Sequence, residues 1–125
     1  MKQLILLLCL CIVSLLHTSC KKEDSGEIRI RVKNASSYRF ESVYVNTSGG
    51  ENEYGPLAAK QVSDYAVYKG AYNYAYIKVV INGREMSLQP TDYVGETPLD
   101  PGKYTYVVDV EDLSNGRLKL TFETP

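Results

Sequence analysis

The sequence predicts an all-β chain folded as an antiparallel β-sandwich of about seven strands. Three observations carry that expectation. Apolar and polar residues alternate at period two through most of the chain after residue 26, the pattern of strands buried on one face. Turn signals interrupt the alternation at short intervals, among them Asn82-Gly83 and Asn115-Gly116, each set between extended segments. Nowhere after Cys20 does an apolar 3.6-residue pattern persist for eleven residues, so no helix competes.

The first strand is predicted over Glu27–Lys33, with Ile28, Ile30 and Val32 on one face and Arg29, Arg31 and Lys33 on the other. Asn34 to Ser37 is a polar turn. Phe40–Asn46 is a second strand, Val43 and Val45 facing away from Ser42 and Tyr44. Thr47–Pro56, with three Gly and a Pro, is expected to be a loop. Val62–Lys69 is a third strand, in which Asp64, Ala66 and Tyr68 oppose Tyr65 and Val67. Tyr72–Ile81 is the longest candidate. Asn82-Gly83 then demands a two-residue type I′ hairpin, because both central residues take positive φ. Arg84–Gln89 is the return strand. Pro90–Gly102 is a long connection, expected to cross between sheets. Lys103–Glu111 and Arg117–Glu123 form the last pair around Asn115-Gly116. Seven strands in about 100 residues point to an immunoglobulin-like or prealbumin-like sandwich. Leu99-Asp100-Pro101-Gly102-Lys103-Tyr104 resembles the Leu-x-Pro-Gly-x-Tyr approach to a strand in many extracellular β-sandwich domains. There the Tyr would hydrogen-bond back across the corner. The motif speaks to fold and not to activity.

The first 19 residues read as a removable address. Met1-Lys2-Gln3 precedes a run from Leu4 to Leu16 broken only by Ser14, the shape of a secretory signal. As a helix that run spans roughly 20 Å, short of the ~30 Å hydrocarbon core, so a permanent transmembrane helix is the weaker alternative. Without residues 1–19 the chain keeps 106 residues, loses Lys2, and carries 13 basic against 15 acidic side chains, a net charge of −2. That balance gives no general reason to expect a nucleic-acid partner. The single His and two of the three Cys leave with the segment. Most zinc sites, Cys–His and Ser–His–Asp catalysis and disulfide scaffolds leave with them. No enzyme activity, metal or cofactor is therefore expected. A domain of this size buries about two-thirds of its unfolded surface and needs no disulfide.

Leu16-His17-Thr18-Ser19-Cys20, followed by Lys21-Lys22-Glu23-Asp24, resembles a bacterial lipoprotein signal. In that family an apolar residue, two small residues and Cys direct a diacylglyceryl group onto the Cys sulfur, and cleavage falls just before it. Thr18 and Ser19 match the small positions. His17 stands where Leu is usual, with Leu16 one step earlier. The resemblance implies that residues 1–19 are a signal peptide and that 20–26 are a lipidated Cys and a flexible tether. The β-sandwich domain would then occupy 27–125. Cys20 would be an anchor to the membrane and not a catalytic thiol. Two or three acyl chains, palmitate among them, hold firmly where one is marginal. The absence of Asp after Cys20 implies the outer membrane. Lys22-Glu23-Asp24 fits the surface-export signal of Bacteroidota lipoproteins, and equally a charged spacer. A plain secretory signal cut near Ser19, leaving a free thiol, stays open as the alternative.

Four constellations are candidates for chemistry. Tyr72, Tyr74 and Tyr76 alternate, so a strand would project all three from one face, with Ala71, Ala75, Ile77, Val79 and Ile81 on the other. Flat, stiff rings with a polar tip suit carbohydrate or protein contact, although Tyr is also ordinary sheet packing. Arg29, Arg31 and Lys33 form a basic stripe that could meet anionic lipid or polysaccharide, or simply face solvent. Asp109 to Asn115 is rich in oxygen ligands but lacks a calcium-loop spacing. Asp92 and Glu96 could pair for acid–base work on a glycoside, but nothing in the sequence fixes their separation.

The chain as a whole resembles small outer-membrane lipoproteins of Bacteroidota. The resemblance rests on the signal with Cys-Lys-Lys, the Ile/Val-rich first strand, the Tyr-Ala-Tyr segment, Gln89 to Leu99, and Pro101-Gly102-Lys103-Tyr104. It implies localisation and fold, and lends no catalytic residues. The expectation is a lipid-anchored, non-enzymatic binding or interaction module. A glycan-binding accessory protein or a structural subunit beside another envelope protein are the alternatives.

Overall fold

The computed structural model describes residues 26–90 and 96–125. The segment expected to be a signal, Cys20 and the expected tether up to residue 25, and Asp92 and Tyr93 of the Pro-rich connection lie outside the described residues. Eight strands follow in order: β1 Ile28–Asn34, β2 Ser42–Asn46, β3 Glu51–Glu53, β4 Ala66–Tyr68, β5 Tyr76–Ile81, β6 Arg84–Leu88, β7 Gly102–Asp112 and β8 Arg117–Glu123. They build two four-stranded sheets, β4-β1-β7-β8 and β3-β2-β5-β6, so the chain is the β-sandwich expected. The immunoglobulin arrangement keeps its first two strands in one sheet. Here β1 and β2 lie in different sheets, which leaves the prealbumin-like alternative.

Alternation drives the assembly. Ile28, Ile30 and Val32 of β1 are buried, as are Val43 and Val45 of β2 and Ile77, Val79 and Ile81 of β5. Tyr106 and Val108 of β7, Met86 of β6 and Leu118 of β8 complete the core with Phe40 and Leu57. Each fully buried Val or Ile stabilises the fold by ~1.5–3 kcal/mol against exposure. Every strand pair is antiparallel except β1 with β7, which run parallel from Ile28↔Gly102 to Asn34↔Val108. Parallel neighbours need a long crossover, and here the crossover includes the entire second sheet.

Three elements differ from expectation. β3 lies in the segment read as a loop. Its Glu-Asn-Glu carries no apolar signal, and it is held by its ladder to β2 and by the Tyr44 hydroxyl on Glu51. The third predicted strand contracts to Ala66–Tyr68. The Val32 N–H donates to the Ser63 hydroxyl at 2.9 Å, while the Ser63 N–H donates to the Val32 carbonyl at 2.8 Å. A side chain replaces a backbone acceptor there, and the ladder breaks. β5 begins at Tyr76 and not Tyr72. Its predicted first residues bond elsewhere: the Ala71 carbonyl takes the Leu99 N–H at 2.9 Å, and the Tyr72 carbonyl takes the Tyr106 hydroxyl at 2.6 Å.

The turns follow their residues. Asn82 and Gly83 have φ of 50° and 75°, as the type I′ hairpin requires. The last hairpin is looser: Leu113–Gly116 form the turn, and only Gly116 has positive φ. The Tyr104 hydroxyl donates to the Asp100 carbonyl at 2.7 Å, closing the corner that its motif suggests.

Buried polar groups are paired across the sandwich. The Tyr54 hydroxyl, beside β3, donates to the Ile30 carbonyl of β1 at 2.7 Å, so the Tyr68 hydroxyl 2.9 Å away must donate to Tyr54. Burial pushes the Tyr68 phenol up to about 12, and that of Tyr54 higher still, so both stay neutral donors. Fully buried Asn34 donates to the carbonyls of Tyr38, Leu57 and Ala58 and accepts from Ser36.

Gly49 meets Gly70 at an isolated bridge between the β2–β3 turn and the β4–β5 connection. A methyl on Gly49 would lie 2.3–2.5 Å from Gly70 backbone atoms, whereas one on Gly70 would sit at an ordinary 3.7 Å. Gly49→Ala is therefore expected to destabilise the domain by ~1–3 kcal/mol in urea unfolding, as overpacking does, and Gly70→Ala by much less.

Candidate functional site

The tyrosines singled out from the sequence do come together. Tyr72, Tyr74 and Tyr76 line a cavity of about 220 Å³ with Asn46, Thr47, Ser48, Ala75, Gln89 and Pro90. They do not form the flat strip that a continuous strand would give. Only Tyr76 lies on β5; Tyr72 and Tyr74 precede it, separated by the bend at exposed Asn73. The inward half of the prediction holds, since Ala71, Ala75, Ile77, Val79 and Ile81 are all buried.

Each ring is positioned by a neighbour. Tyr72 and Tyr74 stack on each other, centroids 6.1 Å apart and planes 14° apart. Tyr76 packs edge-on against Tyr44 of β2 at 6.1 Å and 69°. That contact is diagonal across the ladder, because Tyr44 registers with Lys78 and Asn46 with Tyr76. Lys78 reaches over the Tyr44 ring, its nitrogen 5.3 Å from the centroid. The hydrogen bond to the Glu51 carboxylate raises the Tyr44 phenol. Beneath the segment, Tyr106 crosses the core from β7 and gives its hydroxyl to the carbonyls of Tyr72 at 2.6 Å and Tyr74 at 3.4 Å.

Polar residues complete the rim. The Thr47 hydroxyl donates to the Gly70 carbonyl at 2.7 Å, and the Asn46 amide lies 3.3 Å from the Tyr44 hydroxyl. Neither these residues nor Gln89 can be picked from the sequence as site residues. Asn46-Thr47-Ser48 reads as strand end and turn, and only the β2–β5 pairing sets it beside Tyr76. No charged side chain lines the cavity among the described residues.

The other sequence candidates are dispersed. Asp92 lies outside the described residues, so its pairing with Glu96 has no geometry here. Glu96 lines a separate hollow with Asn73, Tyr74, Tyr104 and Phe122, and desolvation raises its carboxyl. In the oxygen-rich run, Glu111 pairs with Arg117 at 3.9 Å. The Asp112 carboxylate is taken by the Ser114 hydroxyl at 2.7 Å and the Asn115 amide at 2.6 Å. Among the described residues, no three His, Cys, Asp or Glu side chains gather as metal ligands would. Arg29 pairs with Glu27 at 3.2 Å, and Arg31 donates to the Thr105 hydroxyl at 3.0 Å.

Comparison with known proteins adds a fold relation. An NMR structure of a protein from Eubacterium rectale is similar, with a TM-score of 0.57 over 81% of this chain and 92% of that one, at 12% identity. At that identity the likeness concerns the fold alone. No protein-family model matches the chain, and no curated protein matches it significantly.

Two outcomes follow. Tyr106→Phe leaves the Tyr72 carbonyl without its donor and is expected to cost ~1–3 kcal/mol in chemical unfolding, with the Tyr72 and Tyr74 ring signals shifted in NMR spectra. The hydrogen bonds from Ser114 and Asn115 hold the Asp112 carboxyl down to about 2. Its contribution is present above the unfolded value near ~3.9 and lost as pH falls through the folded one. Asp112→Ala should lower the melting temperature at neutral pH, and its gap from the unsubstituted chain should close as pH falls toward 2.

Proposed function

We propose that this chain is a lipid-anchored cell-envelope protein, held at the outer membrane through Cys20 and related to small Bacteroidota lipoproteins. Its sandwich serves as a non-enzymatic binding module that takes a glycan in the tyrosine pocket. One observation carries the second half: Tyr72, Tyr74 and Tyr76 share a cavity with Asn46, Thr47, Ser48 and Gln89. Aromatic rings suit the C–H faces of a sugar, and amides and hydroxyls suit its hydroxyl groups. The absence of charge from the described lining favours a neutral sugar. The volume falls below the ~300–1,000 Å³ of drug-sized sites, which favours one ring or a chain end. The first half is supported by the Leu16-His17-Thr18-Ser19-Cys20 sequence.

Metabolic labelling with an acyl probe, followed by a glycan array of the purified product, tests both halves. Label is expected on the unsubstituted chain and not on Cys20→Ala. A defined glycan signal is expected, and it should vanish in a folded Tyr72→Ala/Tyr74→Ala/Tyr76→Ala variant. Label surviving Cys20→Ala would sink the anchor, and an unchanged array profile would sink the pocket.

A further inference from the structure

The outer face of the β4-β1-β7-β8 sheet carries a second, separate arrangement. Register places Arg29 between Val67 and Lys103, Arg31 beside Thr105, and Lys33 between Val62 and Val107. Tyr65 lies under two cations: the Arg31 guanidinium is 5.0 Å and the Lys103 nitrogen 5.7 Å from its ring centroid. Val62, Tyr65 and Val67 are three of the four exposed large hydrophobic side chains among the described residues, and Val67 is 57% exposed. Four cations, Arg29, Arg31, Lys33 and Lys103, outnumber three acidic groups on this half of the face. Glu27 is engaged by Arg29, Glu123 sits beyond Thr105, and Asp64 is exposed at the edge. The far half alternates in sign, with Asp109 opposite Lys119 and Glu111 paired to Arg117.

We infer that this face lies against an anionic lipid surface, with Arg31, Lys33 and Lys103 meeting headgroup phosphates and Val62, Tyr65 and Val67 seated at the polar–apolar boundary. The inference rests on the reading of Cys20 as the anchor. Two features favour lipid over a soluble polyanion. The cations are interleaved with aliphatic and aromatic side chains, the composition of an interfacial patch and not of a fully hydrated groove. The seven residue steps from Cys20 to Glu27 also reach at most ~25 Å, about the ~23 Å length of β1 itself. An anchored domain is thus confined within reach of the surface, where each Lys or Arg strengthens contact roughly fivefold.

The test uses the natively processed chain, reconstituted into phosphatidylcholine vesicles with or without phosphatidylglycerol. Flotation is read alongside lysine acetylation by mass spectrometry. The expected result is flotation with both vesicle types, with Lys33 and Lys103 labelled several-fold more slowly on the anionic ones only. Lys78, on the other sheet, should be labelled equally on both. High salt should remove the protection. Lys33→Glu, a surface change, should restore labelling of Lys103, with circular dichroism confirming the fold. Flotation with both vesicles and equal labelling would overturn the docking face and leave the anchor standing. Flotation with anionic vesicles alone would sustain the face and overturn the anchor. Flotation with neither would overturn both.

Discussion

The parallel pairing of β1 with β7 is the contact on which the other features of the domain depend. It sets the first strand in the middle of a sheet, flanked by β4 and β7, and draws together residues more than seventy positions apart. Such a contact carries a high loop-closure cost, because its ends are joined by a whole second sheet. It is secured by some of the most apolar alternation in the chain: Ile30, Val32 and Tyr106 are fully buried.

That pairing has consequences on both surfaces of its sheet. Inward, it points Tyr106 across the core, where its hydroxyl holds the carbonyls of Tyr72 and Tyr74 away from any strand ladder. The tyrosine segment bends for that reason, and a pocket forms where a flat stripe would otherwise lie. Burial raises the Tyr106 phenol, so the donor stays protonated. Outward, the same register sets Lys103 beside Arg29 and Thr105 beside Arg31, which makes a basic cluster from two strands distant in sequence. The pocket and the basic face are thus two products of one strand alignment.

Much of this was legible from residues and their spacing. Period-two alternation located β1, β2, β5, β7 and β8 to within a few residues, because burial on one face leaves a signal in every second side chain. Asn82-Gly83 announced its hairpin, since few other pairs tolerate two positive φ values. Glu51–Glu53 could not be seen: an edge strand held by backbone bonds needs no apolar pattern. The pocket was half visible. The tyrosines stood out as a set, but Asn46, Thr47 and Gln89 became neighbours only through sheet order, which short-range pattern does not encode. The β4 interruption at Ser63 was hidden for a similar reason, as a serine that replaces a backbone acceptor resembles any other serine.

Glu27 is where the chain enters β1, and its carbonyl takes the Gly102 N–H at 3.0 Å, so the central pairing begins at the first residue before the strand. Through-space NMR contacts between β1 and β7 test this arrangement most directly. Cross-strand signals linking Arg31 with Thr105 and Lys33 with Val107, advancing in the same direction along both strands, are the predicted result. Contacts that run in opposite directions, or that place β1 beside β2, would contradict it.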